Sequence, residues 1–450
     1  MTERMTYGGH ARAIAVLGLP LIGGHLAQFA IGLTDTVMLG WYGVEALAAV
    51  TLGSSYFFVL FLMGAGFGWA VMPMVAAAAA ERDQTSIRRA TRMGIWASLI
   101  FAMLAMPLLI WSQPILLALG QEAGIAAMAA EYLRIAGWGM IPALMVMVLK
   151  SYLAALERTQ VVFWITVLAV LVNAGANYAL IFGNWGAPEL GITGAAIASI
   201  CTQIVSLVAV VAYALWVLPQ HTLFRRFWRP DSEMFRRVVR LGVPIALTNL
   251  AEVSLFSASA VMMGWLGAVP LAAHGIAIQL ASATFMVHLG LSNAATIRAG
   301  NAYGRRDREH MARGGKVVIA MSLMMSLATI ALFLTWAEPL ISLFIEPDDP
   351  NRPEILVIGT GLLAMAALFQ LVDGAQVMAL GLLRGVQDTT VPMVMAAVSY
   401  WVVGIPASYV MGFVWGWEGI GVWAGLVLGL FFAGTLLMAR FWGRSIKAVP

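Results

Sequence analysis

Gly32-Leu33-Thr34-Asp35-Thr36-Val37-Met38-Leu39-Gly40 sets a carboxylate inside an apolar run that extends from about residue 12 to residue 40. About 20 such residues cross a hydrocarbon core as a helix. An aspartate near the middle of a spanning helix costs roughly 2.5–3.5 kcal/mol on insertion scales, so Asp35 needs either a structural partner or a functional reason.

The surroundings of this stretch repeat its character. Hydrophobic residues make up 61% of the 450 and charged residues 11%, and the mean hydropathy is +0.87. That balance lies far outside the soluble globular range and describes a polytopic membrane protein. The long apolar runs lack the alternation of an outer-membrane barrel strand, so helices are the expected spanning elements. The first run has no small-residue cleavage site and reads as a signal anchor, with no cleavable signal peptide. Cys201 is the single cysteine, which excludes an internal disulfide and a thiolate metal cluster.

Charged or Pro/Gly-rich interruptions divide the chain into twelve spans, at about 12–40, 46–76, 93–119, 124–150, 159–183, 192–218, 238–266, 270–300, 314–337, 355–383, 390–415 and 419–441. Of the 26 Lys and Arg, all but Arg134 and Arg352 fall on the side that also carries both termini. That side is cytoplasmic by the positive-inside rule, in an inner (plasma) membrane. Phe224-Arg225-Arg226-Phe227-Trp228-Arg229-Pro230 through Arg236-Arg237 is the largest basic segment. Its flanking spans make it a membrane-surface linker rather than a nucleic-acid patch.

A shift of 224 residues lays Gly18-Leu19-Pro20 over Gly242-Val243-Pro244, Met38-Leu39-Gly40-Trp41 over Met262-Met263-Gly264-Trp265, and Arg82-Asp83 over Arg306-Asp307 without a gap. The expectation is therefore two copies of a six-helix unit. Six is even, so the copies are parallel repeats related by an axis along the membrane normal. The domains read as an N-lobe at 1–218, a basic linker at 219–237 and a C-lobe at 238–450, with a cavity expected between the lobes.

Of 22 acidic residues, only Asp35, Glu252 and Asp373 fall well inside predicted spans. Each has polar company at helical spacing: Gln28 for Asp35; Thr248, Asn249 and Ser259 for Glu252; Gln370 and Gln376 for Asp373. Helix 5 adds Asn173 and Asn177, at a depth where a site shared with Asp35 is sterically possible. Carboxylate, amide and hydroxyl oxygens suit a hard monovalent cation, and a carboxylate out of water can instead carry a proton. Hydrogen-bond glue between helices is the plain alternative, and for either asparagine alone it accounts equally well. It accounts poorly for three acids with no Arg or Lys expected at their depth. His25, His274 and His288 lack metal spacing and read as structural. Phe285 is an aromatic candidate for a cation contact. The many methionines fit core or lipid contact as well as a repackable pocket, and Gly64-Ala65-Gly66-Phe67-Gly68 reads as close helix packing. Pro20 and Pro244, at equivalent repeat positions, suggest a bend used twice. No Walker A sequence, HExxH pattern or nucleophile-base-acid set is present, so neither ATP coupling nor hydrolytic chemistry is expected.

Thr34-Asp35-Thr36-Val37-Met38-Leu39-Gly40, Pro188-Glu189-Leu190-Gly191-Ile192-Thr193-Gly194-Ala195-Ala196 and Leu383-Arg384-Gly385-Val386-Gln387-Asp388-Thr389 resemble the multidrug and toxic compound extrusion (MATE) family along essentially the whole chain. Glu252 and Asp373 make it similar to the NorM-like branch. The resemblance implies an all-α integral membrane protein of twelve helices in two pseudo-symmetric six-helix lobes arranged as a V. It also implies export of amphipathic, often cationic, drugs and dyes in exchange for sodium ions or protons. Carried over, Asp35 and Asn173 match the N-lobe site, and Glu252 and Asp373 the cation-binding acids of the C-lobe. Asn177 stands where some relatives carry aspartate, and Phe285 where a NorM-like relative offers tyrosine. Coupling ions at Asp35, Glu252 and Asp373, with Asn173 and Asn177, and a substrate cavity touching Gln28, Asn249, Phe285, Gln370 and Gln376 follow as expectations. So do a monomer in contact with membrane lipid, no cofactor beyond sodium or a proton, and no nucleic-acid partner. A lipid-linked or endogenous metabolite is the alternative cargo on the same fold, and a membrane-embedded enzyme a remote one.

Overall fold

Residues 5–449 are described in a computed structural model. Their secondary structure is helical, with no strand among the described residues. Among the described residues, twelve helices are long and apolar enough to span a membrane: α1 Tyr7–Tyr42, α2 Val44–Ala80, α3 Gln84–Ile110, α4 Ala123–Ala155, α5 Thr159–Phe182, α6 Ile192–Val217, α7 Ser232–Leu266, α8 Ala268–Gly304, α9 Arg308–Thr335, α10 Arg352–Gly385, α11 Thr390–Val414 and α12 Glu418–Ala448. The expected all-α, twelve-helix class is what the chain adopts, and several helices extend further toward the basic face than expected.

Local chemistry explains those extensions. The repeated Arg-Asp pairs are helix-to-helix corners. Arg82 and Arg306 take left-handed backbone angles, φ 59° and 57°, and end α2 and α8. Asp83 then accepts a hydrogen bond from Ser86 N at 3.1 Å, and Asp307 one from His310 N at 2.9 Å. An aspartate in this capping position satisfies an orphan N–H and contributes about 1 kcal/mol. The cap starts α3 at Gln84, so Arg88, Arg89 and Arg92 lie on its first turns rather than in a loop. At its other end α3 stops at Ile110, because Trp111 leaves helical geometry. The stretch expected to continue to 119 is a separate short helix, Ser112–Ala118.

The chain packs as two compact units. One contains the described residues up to Ile22 and from Leu247 onward, and the other is Gly23–Ala246. The first is the C-unit and the second the N-unit. The boundaries fall just after Pro20 and Pro244, and the 224-residue shift relates them as well. The basic segment at 219–237, expected to be a seam, packs within the N-unit.

The N-unit core joins Leu39 of α1, Val50 and Ala65 of α2, Leu109 of α3, Leu133 and Leu144 of α4, Ile181 of α5 and Ala196 of α6. Small residues allow helix axes to approach closely in a setting where lipid supplies no hydrophobic drive. A Cβ on Gly66 would lie 2.4 Å from the carbonyl of Gly242, so α2 and the first half of α7 meet backbone to backbone. In the C-unit α8 and α10 cross just as closely. Ser292 donates to the carbonyl of Val377 at 2.8 Å and Thr296 to that of Gly381 at 2.9 Å. Helix α11 carries two π-helical stretches, Val398–Gly404 and Val410–Val414, around Pro406. Proline lacks the amide donor of a regular turn, and widened turns are one way of re-forming the ladder around it.

Candidate functional site

In the N-unit, Asp35 of α1 meets two amides of α5. Asn173 donates to Asp35 Oδ1 at 3.1 Å, and Asn177 donates to the same oxygen at 2.5 Å. The asparagines are one helical turn apart and touch each other at 3.4 Å, so α5 presents both toward a single carboxylate. Both are buried, and Asn177 Oδ1 has no hydrogen-bond partner. Tyr132 of α4, itself hydrogen-bonded to Ser54 at 3.4 Å, is near enough to interact electrostatically with Asp35. Nothing in the sequence marked Tyr132, because an aromatic residue in a spanning helix is ordinary. Gln28 shares a face with Asp35 but is exposed and forms no hydrogen bond to it.

In the C-unit, α7 supplies Asn249 and Glu252, α10 supplies Gln370, Asp373, Gln376 and Arg384, and α11 supplies Tyr400. Glu252, Asp373 and Tyr400 interact electrostatically with one another, and Arg384 with Glu252 and Tyr400. Arg384 donates from Nη2 to Asn249 Oδ1 at 2.9 Å. The Gln376 amide donates to the Tyr400 hydroxyl, which lies on the first π-helical stretch of α11. Asp373 Oδ1 and Gln376 Oε1 are buried acceptors without a donor.

Several expectations about this cluster change. The acids were expected to lack a basic neighbour at their depth, because Arg384 falls one residue beyond the predicted end of helix 10. The helix runs to Gly385, and the long guanidinium side chain reaches back to α7. Gln370 turns away from Asp373, donating to the carbonyl of Ala281 at 3.1 Å. Phe285 is half-buried on α8. Ser259 bonds the carbonyl of Phe256 in its own helix at 2.7 Å. His274 accepts from Trp423 Nε1 at 3.0 Å and His288 pairs with Ser322 at 2.9 Å, which is the satisfied structural role expected of them.

The basic segment folds onto the start of α3. Arg89 makes a two-pronged pair with Asp231, at 2.6 and 3.1 Å, and reaches Glu233 at 3.0 Å. These hydrogen bonds hold the Asp231 carboxyl below its ordinary range. Trp96 Nε1 donates to the carbonyl of Phe227 at 2.9 Å and stacks on its ring. Tyr152 and His221 Nδ1 are 2.5 Å apart, both buried.

Comparison with known proteins adds a common descent to this geometry. The MatE family model matches residues 20–179 and 244–410, two segments whose starts are again one repeat apart. A probable multidrug resistance protein NorM of Rhizobium meliloti is 43% identical over 98% of this chain and 95% of its own. One from Agrobacterium fabrum is 42% identical over 96% and 93%. Among solved structures, an outward-facing multidrug resistance MATE family transporter superimposes with a TM-score of 0.87 at 22% identity, over 98% of this chain and 96% of that one. The eukaryotic MATE transporter AtDTX14 does so with 0.86 at 16% identity, over 98% of each.

Proposed function

The chain belongs to the MATE family as a NorM-like multidrug efflux transporter, and we propose that it works by cation-coupled antiport, with sodium or a proton entering as an amphipathic, often cationic, drug leaves. The observation that carries this reading is the C-unit cluster. With both carboxylates ionised, Glu252, Asp373 and Arg384 sum to one negative charge. Asp373 Oδ1 and Gln376 Oε1 stand buried and without donors. Buried acceptors of this kind are costly unless something comes to them. A monovalent cation coordinated by carboxylate and amide oxygens, or a proton on one carboxylate, supplies the missing partner and neutralises the cluster. Asp35 is differently placed, because its Oδ1 already accepts from both asparagines. It is the second candidate for cation or cationic drug.

Energy follows from charge. With the cell interior negative, each net positive charge entering gains about 2.3 kcal/mol per 100 mV. Orientation in the plasma membrane with both termini cytoplasmic agrees with the bias of 24 basic residues against Arg134 and Arg352. The site residues are Asp35, Asn173 and Asn177 in one unit and Glu252, Asp373 and Gln376 in the other. Sodium, where it is the coupling ion, sits at Glu252 and Asp373 or at Asp35.

Replacement tests the assignment. Asp35→Asn, Glu252→Gln and Asp373→Asn, each retaining side-chain volume, are expected to lower ethidium efflux from cells at least tenfold while membrane protein levels stay near wild type. Wild-type efflux in all three would refute it.

A further inference from the structure

Outside both acid clusters, the first turns of α3 and the 222–233 segment bound an open cleft of about 700 Å³ lined by Arg88, Arg89, Arg92, Arg225, Arg226 and Arg229. Asp231 and Glu233 are the acids on its wall, and both are already committed to Arg89. The charge left on the wall is therefore strongly positive. Arg92 is the decisive residue. It is only 7% exposed; its Nη1 donates to the carbonyl of Arg226 at 3.2 Å, but its Nε has no partner. Asp231 acts electrostatically on Arg92 but is already bound to Arg89, so the half-buried cluster holds more guanidinium than carboxylate, an expensive arrangement unless an anion completes it. The wall is also built rather than adventitious: Arg88 donates to Thr222 Oγ1 at 2.7 Å, and Trp96 holds Phe227.

We propose that this pocket binds a phosphate group. The planar forks of several arginines match phosphate oxygens, which accept several charge-assisted hydrogen bonds at once. Two sources present that chemistry at a membrane surface: an anionic phospholipid headgroup and a free polyphosphate. Trp228, 77% exposed beside the arginines, is the kind of residue that anchors at a lipid headgroup layer. Orientation signalling alone needs arginines near the membrane but gives no reason for six of them to line one cleft whose two acids are already paired.

The test uses the purified full-length protein in two arms. One titrates pyrophosphate in neutral detergent and follows binding by calorimetry. The other measures retention of phosphatidylglycerol against phosphatidylcholine by native mass spectrometry. The comparison is between Arg225→Ala/Arg229→Ala, both exposed on the pocket wall, and Arg236→Ala/Arg240→Ala, which removes equal charge from exposed positions on α7 outside it. Saturable binding in either arm is expected, weakened at least tenfold by the first pair and unchanged by the second. Saturation with lipid alone identifies a headgroup site, and saturation with pyrophosphate a soluble-anion site. Lack of saturable binding in both arms, equal weakening by both pairs, or weakening by neither would overturn the proposal.

Discussion

Arg384 sets the charge of the C-unit cluster, and its removal should be felt by the coupling ion. It hydrogen-bonds Asn249 and acts electrostatically on Glu252. Arg384→Ala leaves two carboxylates without a compensating cation, so an entering cation is held more tightly and released more slowly. The half-maximal ion concentration for dye efflux is expected to fall about tenfold, equivalent to about 1.4 kcal/mol, with a lower maximal rate. Arg384→Lys should stay nearer wild type, and unchanged ion dependence in the alanine variant would count against the cluster. Asp231 gives a different residue-scale prediction. Its carboxyl is held below the ordinary value of about 3.9 by Arg89. A lowered folded-state value means stabilisation present above that ordinary value and lost as pH falls through the folded one. Asp231→Asn should therefore lower the thermal midpoint at pH 7 by about one or two degrees, the scale of a partly exposed pair. The gap to wild type should narrow as pH falls below the ordinary carboxylate value.

At the scale of elements, α11 and α12 depend on closeness. A Cβ at Gly425 would lie 2.1 Å from Ser408 N, on the backbone of α11, next to the second π-helical stretch. Gly425→Ala must therefore push the helices apart, at about 1–3 kcal/mol for overpacking. Reduced folded yield and a lower thermal midpoint are expected, while Gly443→Ala, which meets nothing within 4 Å, should behave as wild type. The number and order of helices were legible because twelve apolar runs are separated by polar breaks. Their ends were less so. Charge at Arg88, Arg89 and Arg92 reads as loop by hydropathy, and only the Asp83 cap and the Asp231 partner explain why it is helix. The same blindness hid Arg384 from the acids. Tyr400 was invisible for another reason: its place depends on the widened turns of α11, which leave no trace in residue spacing. Asp35, Glu252 and Asp373 were legible because an acid in an apolar run is rare.

On the scale of the whole molecule, one 224-residue repeat relates the Arg-Asp corners, the two prolines, the limits of the compact units and the starts of the family matches. The repeat is one of framework and not of chemistry. Ser259 occupies the position equivalent to Asp35 and satisfies its own helix, whereas Glu252 and Asp373 belong to the C-unit alone. Two halves that share a scaffold but not their acids can bind unlike cargoes, an ion in one and a drug in the other. Antiport requires the two loads to compete or alternate, and an applied ion gradient must then drive the dye. The direct measurement is dye efflux in everted membrane vesicles under a sodium gradient and a proton gradient imposed separately. At least one gradient is predicted to drive transport, and Glu252→Gln or Asp373→Asn to abolish that response; transport indifferent to both gradients would contradict the account.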